Sequence, residues 1–196
     1  MAMRVPANGW FRERQAFWAK RLAARFRKNQ DGAVAIEFGL VVLPFLALLF
    51  AILETALVFF AGQVLETAVG DASRLILTGQ AKTQNLTAEQ FKDRVCARIP
   101  ALFNCKALVQ VDVRAFGDSF ASATVGSPIQ SGRLHWGTGN GAPLYSNPGD
   151  RQIVVVRAAM EYPIYIKFFG QTMANLSNGT RLIMASATFR NEPFGG

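Results

Sequence analysis

Residue types that perform catalysis are thinly spread along this 196-residue chain. His135 is its only histidine, beside Trp136, and no serine and carboxylate stand around it in the order a nucleophile relay needs. Asp112 and Asp118 have no partner carboxylate at a spacing suited to general acid–base work. Gly137–Gly141 (GTGNG) has no strand leading into it and no lysine following, both of which a phosphate loop requires. Cys96 and Cys105, with His135 far away, are too few ligands for zinc. The pattern points away from an enzyme and implies no cofactor. Two features with chemistry to perform remain. One is the cysteine pair, which reads either as a disulfide or as two unpaired buried thiols. The other is Glu37, a carboxylate five residues after Gly32 at the head of an almost purely apolar run.

That run must be positioned by something apolar. Ala33 to Leu53 carries one charge, Glu37, and one proline, Pro44. As a helix it reaches roughly 30 Å, the thickness of a bilayer core. A buried core helix is the soluble alternative, but the run is apolar on all sides. A secretory signal peptide would have a shorter apolar core followed by a small-x-small cleavage site. Here the apolar character continues to Leu65, and the small residues Gly32, Ala33 and Ala35 come at its start. Pro44 removes a helix donor and is expected to kink the helix. A carboxylate in lipid is costly unless it finds a partner; the bland reading places Glu37 at headgroup level.

Charge agrees with a membrane anchor. The net charge of +8 is concentrated at the start: residues 1–32 hold eight Lys/Arg against Glu13 and Asp31. A basic flank before an apolar span stays cytoplasmic, so it reads as an orientation signal rather than as a nucleic-acid site. Residues 12–30 have the character of a basic amphipathic helix lying on an anionic membrane surface. The chain beyond the span, with both cysteines, is then periplasmic, where disulfides persist.

From Val64 the apolar residues Val64, Leu65, Ala68, Val69, Ala72, Leu75 and Ile76 share one helical face, and Gly79 supplies a stop. One helix is therefore expected over about 33–78. Thr87 and Gln90 form a capping box opening a short helix with Phe91, Val95 and Ile99 on one face, ended by Pro100. Ala107–Phe116 alternates, with Val109, Val111 and Val113 on one face and Gln110, Asp112 and Arg114 on the other, as in a half-buried strand. Phe120–Val125, Gln152–Tyr162 and Arg181–Arg190 read as further strands. Residues 126–150, rich in Gly, Pro, Ser and Asn, read as a long loop that is mobile or a contact surface. The expected organisation is a leader, 1–32; a transmembrane and membrane-proximal helix, 33–80; and an α+β domain, 81–196, with an antiparallel sheet of about four strands and a mobile loop at 126–150.

Gly32, then an apolar helix with Glu37 at its fifth position, resembles the class III signal of type IV pilins and pseudopilins. The run GAVAIEF followed by GLVVLPFLALLFAILE is most similar to the TadE-like proteins of Flp (tight adherence) pilus systems. RLILTGQA (Arg74–Ala81), the two cysteines and FRNEPF (Phe189–Phe194) fit the same family. The resemblance implies cleavage between Gly32 and Ala33 by a prepilin peptidase on the cytoplasmic side. It also implies a role for Glu37 in aligning the subunit with its neighbours. Phe38 stands where the major Flp pilins carry tyrosine, and the leader is longer than theirs. Both departures, with the folded domain that major Flp pilins lack, point to a minor pseudopilin. The implied partners are the membrane, the peptidase, other Flp-type pilins and pseudopilins, and the assembly platform in the bacterial inner membrane. An uncleaved bitopic protein serving as a periplasmic scaffold of the same machine is the alternative.

Overall fold

A computed structural model of the chain describes residues 31–100, 104–136, 145–166 and 173–194. The expected basic leader helix and the GTGNG stretch lie outside the described residues. Contacts divide the chain into two units, Met1–Leu49 and Phe50–Gly196.

Helix α1, Asp31–Leu77, is one element of 47 residues and runs through Pro44. Its large apolar side chains from Val34 to Leu53 are exposed, apart from the half-buried Val42. From Glu54 onward one stripe is buried: Glu54, Val58, Ala61, Leu65, Ala68, Ala72 and Ile76. Steps of three and four keep these residues on one face. Of the face expected from Val64 onward, Leu65, Ala68, Val69, Ala72 and Ile76 are buried, and Val64 and Leu75 are half-buried. The small side chains of Ala61, Ala68 and Ala72 allow close approach of whatever packs there. At the end of α1, Gly79 adopts φ 74° and its N–H donates to the Ile76 carbonyl at 3.0 Å, a left-handed stop that glycine takes without strain.

Helix α2, Gln80–Thr83, follows directly. Helix α3, Ala88–Cys96, opens with the expected capping box: the Thr87 N–H donates to Gln90 Oε1 at 2.9 Å and the Gln90 N–H to Thr87 Oγ1 at 3.2 Å. It buries Phe91 and Val95. A disulfide joins Cys96 to Cys105, with Cα atoms 5.6 Å apart, and ties the end of α3 to the start of α4, Cys105–Leu108.

Three strands form the main sheet in the order β1-β4-β5: β1 is Val109–Phe116, β4 Ile153–Tyr162 and β5 Arg181–Arg190, all antiparallel. Val109, Val111 and Val113 of β1 stand beside Met160, Ala158 and Val156 of β4, and these beside Ile183, Ala185 and Ala187 of β5. That face shares one core with the buried stripe of α1 and with Phe91 and Val95 of α3. The fold of residues 50–194 is thus a sheet packed on a helix, an α+β arrangement.

The strand count differs from the expectation of about four in one sheet. Among the described residues it is three strands plus a separate pair, β2 (Ile129–Gln130) and β3 (Arg133–Leu134). Phe120–Val125 is not a strand: Phe120–Ser122 forms a 3-10 turn. Ser119 accepts from the Ala121 N–H at 3.3 Å, and Ser122 Oγ donates to the Ser119 carbonyl at 2.6 Å. These local bonds compete successfully with a ladder, and the small residues that follow have little to bury. The β2–β3 hairpin turns on Ser131 (φ 51°) and Gly132 (φ 74°), the paired positive φ values of a two-residue turn matching strand twist. Segment 126–150 therefore carries structure in its described parts. Beyond the hairpin, Ser146 Oγ donates to the Val113 carbonyl at 3.2 Å and accepts from the Ala115 N–H at 3.1 Å, which fixes it along β1.

The sheet and α1 are tied at both ends. Near the start of the buried stripe, the Tyr165 N–H donates to Glu54 Oε1 at 3.2 Å. At the other end, the Glu192 N–H donates to the Leu77 carbonyl at 3.0 Å. From Glu54 to Leu77 a helix rises about 35 Å, and a ten-residue strand such as β4 extends about 33 Å. The matched lengths let both ties form at once.

Candidate functional site

The residues singled out by the sequence occupy the first turns of α1. Gly32, Ala33, Glu37 and Phe38 are all exposed there, and Phe38 is 68% exposed despite its apolar ring. Ala33 and Glu37 are one helical turn apart on the same face, separated by about 6 Å of rise. Pro44 lies within the same helix, where its missing N–H leaves the Leu40 carbonyl without its usual helical donor. Among the described residues one helix, Gly32–Leu77, is long and apolar enough to cross a membrane.

Three features escaped the sequence reading. The first is Glu54, an acid directly after the expected span. It is 3% exposed and accepts from the Tyr165 N–H. Tyr162 packs nearby, its ring edge-on to Tyr165 with centroids 6.1 Å apart. Burial, then the Glu54 charge and Tyr165, push the Tyr162 phenol up to about 12.

The second feature is a buried ionic cluster on the sheet face opposite α1. Asp112 and Arg157 are cross-strand neighbours, and neither is accessible. Arg157 donates to Asp112 Oδ2 through Nη2 at 2.6 Å and Nε at 3.0 Å, and to the Gly126 carbonyl through Nη1 at 2.7 Å. Its guanidinium lies over the buried Trp136 ring, 4.8 Å from the centroid, and Arg114 Nε also donates to Asp112 at 3.1 Å. Asp112 was expected on a solvated face. Instead the segment from Gly126 to Trp136 covers it, and the charges are retained because they are paired and hydrogen-bonded.

The third feature joins two stretches far apart in sequence. The Phe194 ring lies against Gly79, so close that a Cβ there would stand 2.4 Å from a ring carbon, and Lys82 Nζ sits 5.9 Å from the ring centroid. Arg74–Ala81 and Phe189–Phe194, two separate elements of the resemblance, are thus in direct contact.

Comparison with known families bears on the first of these regions. Residues 32–74 match the family model described as TadE-like protein. The chain carries a TadE-like domain. No curated protein and no solved structure matches the chain. The TadE-like segment begins at Gly32 and contains Ala33, Glu37, Phe38, Pro44 and Glu54, so the exposed head of α1 and most of its buried stripe belong to it. Cys96, Cys105 and the sheet lie beyond the match. The structure nonetheless connects them to the TadE-like segment, because its buried stripe is one wall of their core.

The β2–β3 hairpin, also unexpected, had a clear sequence signal in the Ser131-Gly132 dipeptide. Glu54 had a weaker one: an acid directly after a run apolar and long enough to cross a membrane needs a partner. Nothing local pairs Asp112 with a residue 45 positions away.

Proposed function

We propose that this chain is a minor pseudopilin of the Tad (Flp) pilus, a structural subunit taking part in pilus assembly and processed after Gly32. The observation that carries this reading is the TadE-like match beginning at Gly32, with Glu37 at the fifth helical position after it. TadE-like pilus proteins are structural, which accords with this reading. In this reading α1 anchors the protein in the bacterial inner membrane, residues 1–32 face the cytoplasm, and the domain faces the periplasm. The Cys96–Cys105 disulfide suits that compartment.

Cleavage would place an ammonium on Ala33, one turn below Glu37. The carboxylate then pairs with that amine or with a neighbouring subunit's, and it complements the positive end of the helix dipole. Exposure of both residues leaves the pairing open to another subunit. The prepilin peptidase, other Flp-type pilins and the assembly platform are the partners this reading requires.

The test is co-expression with the cognate peptidase, mass determination of the mature chain, and a compartment reporter fused after Gly196. Removal of 32 residues, about 3–4 kDa, is expected, with a periplasmic reporter signal; Gly32→Arg should block the mass change. An intact Met1 N-terminus in the assembled machine would instead support the uncleaved bitopic scaffold.

A further inference from the structure

The exposed apolar surface of α1 is longer than a hydrocarbon core. It runs from Val34 through Leu53 and continues past the buried Glu54 with Leu57, Phe59 and Phe60, the last two 70% and 45% exposed. At about 1.5 Å per residue this stretch measures roughly 40 Å, against about 30 Å for hydrocarbon and 40–45 Å for a bilayer with its headgroup layers. Phe59 and Phe60 belong to the unit that also contains the sheet. Glu54 precedes Phe60 by about 9 Å of rise, so lipid that reaches Phe60 also surrounds the level of Glu54. A carboxylate at that level must be shielded by protein. The shield is the turn after β4: the Tyr165 main chain bonds Glu54, while the Tyr165 ring, 68% exposed, faces outward. Tyrosine favours the bilayer interface, where its ring is in apolar surroundings and its hydroxyl in water.

From this geometry we infer that the Tyr162–Tyr165 end of the domain is a lipid-contact surface. Tyr165, Phe59 and Phe60 seat in the interface of the leaflet on the domain's side, and Glu54 is carried below the bilayer surface inside the protein. The partner is the lipid interface itself. The inference rests on the reading of α1 as a membrane anchor.

Site-directed nitroxides on the full chain in nanodiscs of phosphatidylethanolamine and phosphatidylglycerol test both points separately. Labels replace Leu43 within the span, Tyr165 and Phe59 at the proposed surface, and Phe120 at the far end of the domain. Phe120 is 61% exposed and lies beyond Gly117, whose carbonyl accepts from the N–H of Ile153 at the opposite end of β4. Tyr165→Cys leaves the Glu54 bond intact, because that bond uses the main-chain N–H. The expected result is that Leu43, Phe59 and Tyr165 favour collision with oxygen, whereas Phe120 favours a water-soluble nickel chelate. Oxygen preference at Leu43 with a chelate preference at both Tyr165 and Phe59 overturns the lipid-contact surface alone. Chelate preference at Leu43 overturns the anchor and the surface together.

Discussion

Asp112 occupies a place where its charge depends on neighbours brought from elsewhere in the chain. Arg157 and Arg114 donate to it, and Arg157 also holds the Gly126 carbonyl and stacks on Trp136. Removing one member of a buried pair typically costs about 3–5 kcal/mol, because the remaining charge keeps its desolvation penalty. Arg157→Met should approach that range, moderated by Arg114, and the double variant with Asp112→Leu should recover part of the loss. Chemical unfolding in detergent measures both. A loss for Arg157→Met no larger than that for Lys106→Ala, which breaks an exposed pair with Asp93, would show the cluster to be dispensable. Tyr162 makes a different, pH-dependent contribution. Its pKa is raised from 10.0 to about 12 by burial first and the Glu54 charge second. A raised folded-state pKa means stability fully present below pH 10 and lost as pH rises toward 12. Tyr162→Phe should flatten the fall of the melting temperature across that window. Tyr145, also raised by burial, should leave a residual slope. An unchanged slope in Tyr162→Phe would place the alkaline sensitivity elsewhere.

Among the elements, the C-terminus of α1 is the most tightly specified. Gly79 there serves two purposes, a left-handed backbone and clearance for the Phe194 ring. A left-handed conformation costs a residue with a Cβ roughly 1–2 kcal/mol, and the contact with Phe194 adds to that. Gly79→Ala should therefore lower stability by at least about that amount, as read by thermal unfolding. Gly79→Ala with Phe194→Ala should lose less than the two single changes added together, since the clash is gone and only the backbone term remains. Simple additivity of the two would mean that the ring and the glycine do not interact. The short helix α3 is specified at both ends by different means, a capping box at Thr87 and a disulfide at Cys96. The disulfide closes a loop spanning nine residues, for which about 2–3 kcal/mol is typical.

Across the whole molecule, folding and the proposed assembly role are carried by different stretches of one helix. The core draws on α1 from Val58 onward, whereas Glu37 is exposed and lies in the unit ending at Leu49. Glu37→Ala should therefore leave the melting temperature and processing after Gly32 unchanged, since removing a charge only eases insertion. What it should lose is co-purification with other pilins and the pili themselves. Glu37→Gln, which keeps shape and hydrogen bonding without the charge, should fall between parent and Glu37→Ala. Normal pilus numbers in Glu37→Ala would reduce Glu37 to a passive interfacial residue, and a processing failure would move its role to peptidase recognition.

The features legible in the sequence are those whose causes act within a few residues. Periodicity marked α1 and its buried face, Gly79 marked its end, Thr87 and Gln90 marked the start of α3, and alternation or β-branched runs marked β1, β4 and β5. Gly32 and Glu37 entered as parts of a resemblance, and residues 32–74 match the TadE-like family model. Tertiary structure decided what depends on the register between distant strands and on what covers each face. It set Asp112 opposite Arg157, buried both, and laid the Arg157 guanidinium over the Trp136 ring. It brought the Tyr165 amide to Glu54 and the Phe194 ring to Gly79. It also replaced a strand at Phe120–Val125 with a local turn held by serine hydrogen bonds. Local propensity offers a segment its options, and burial against residues tens of positions away selects among them.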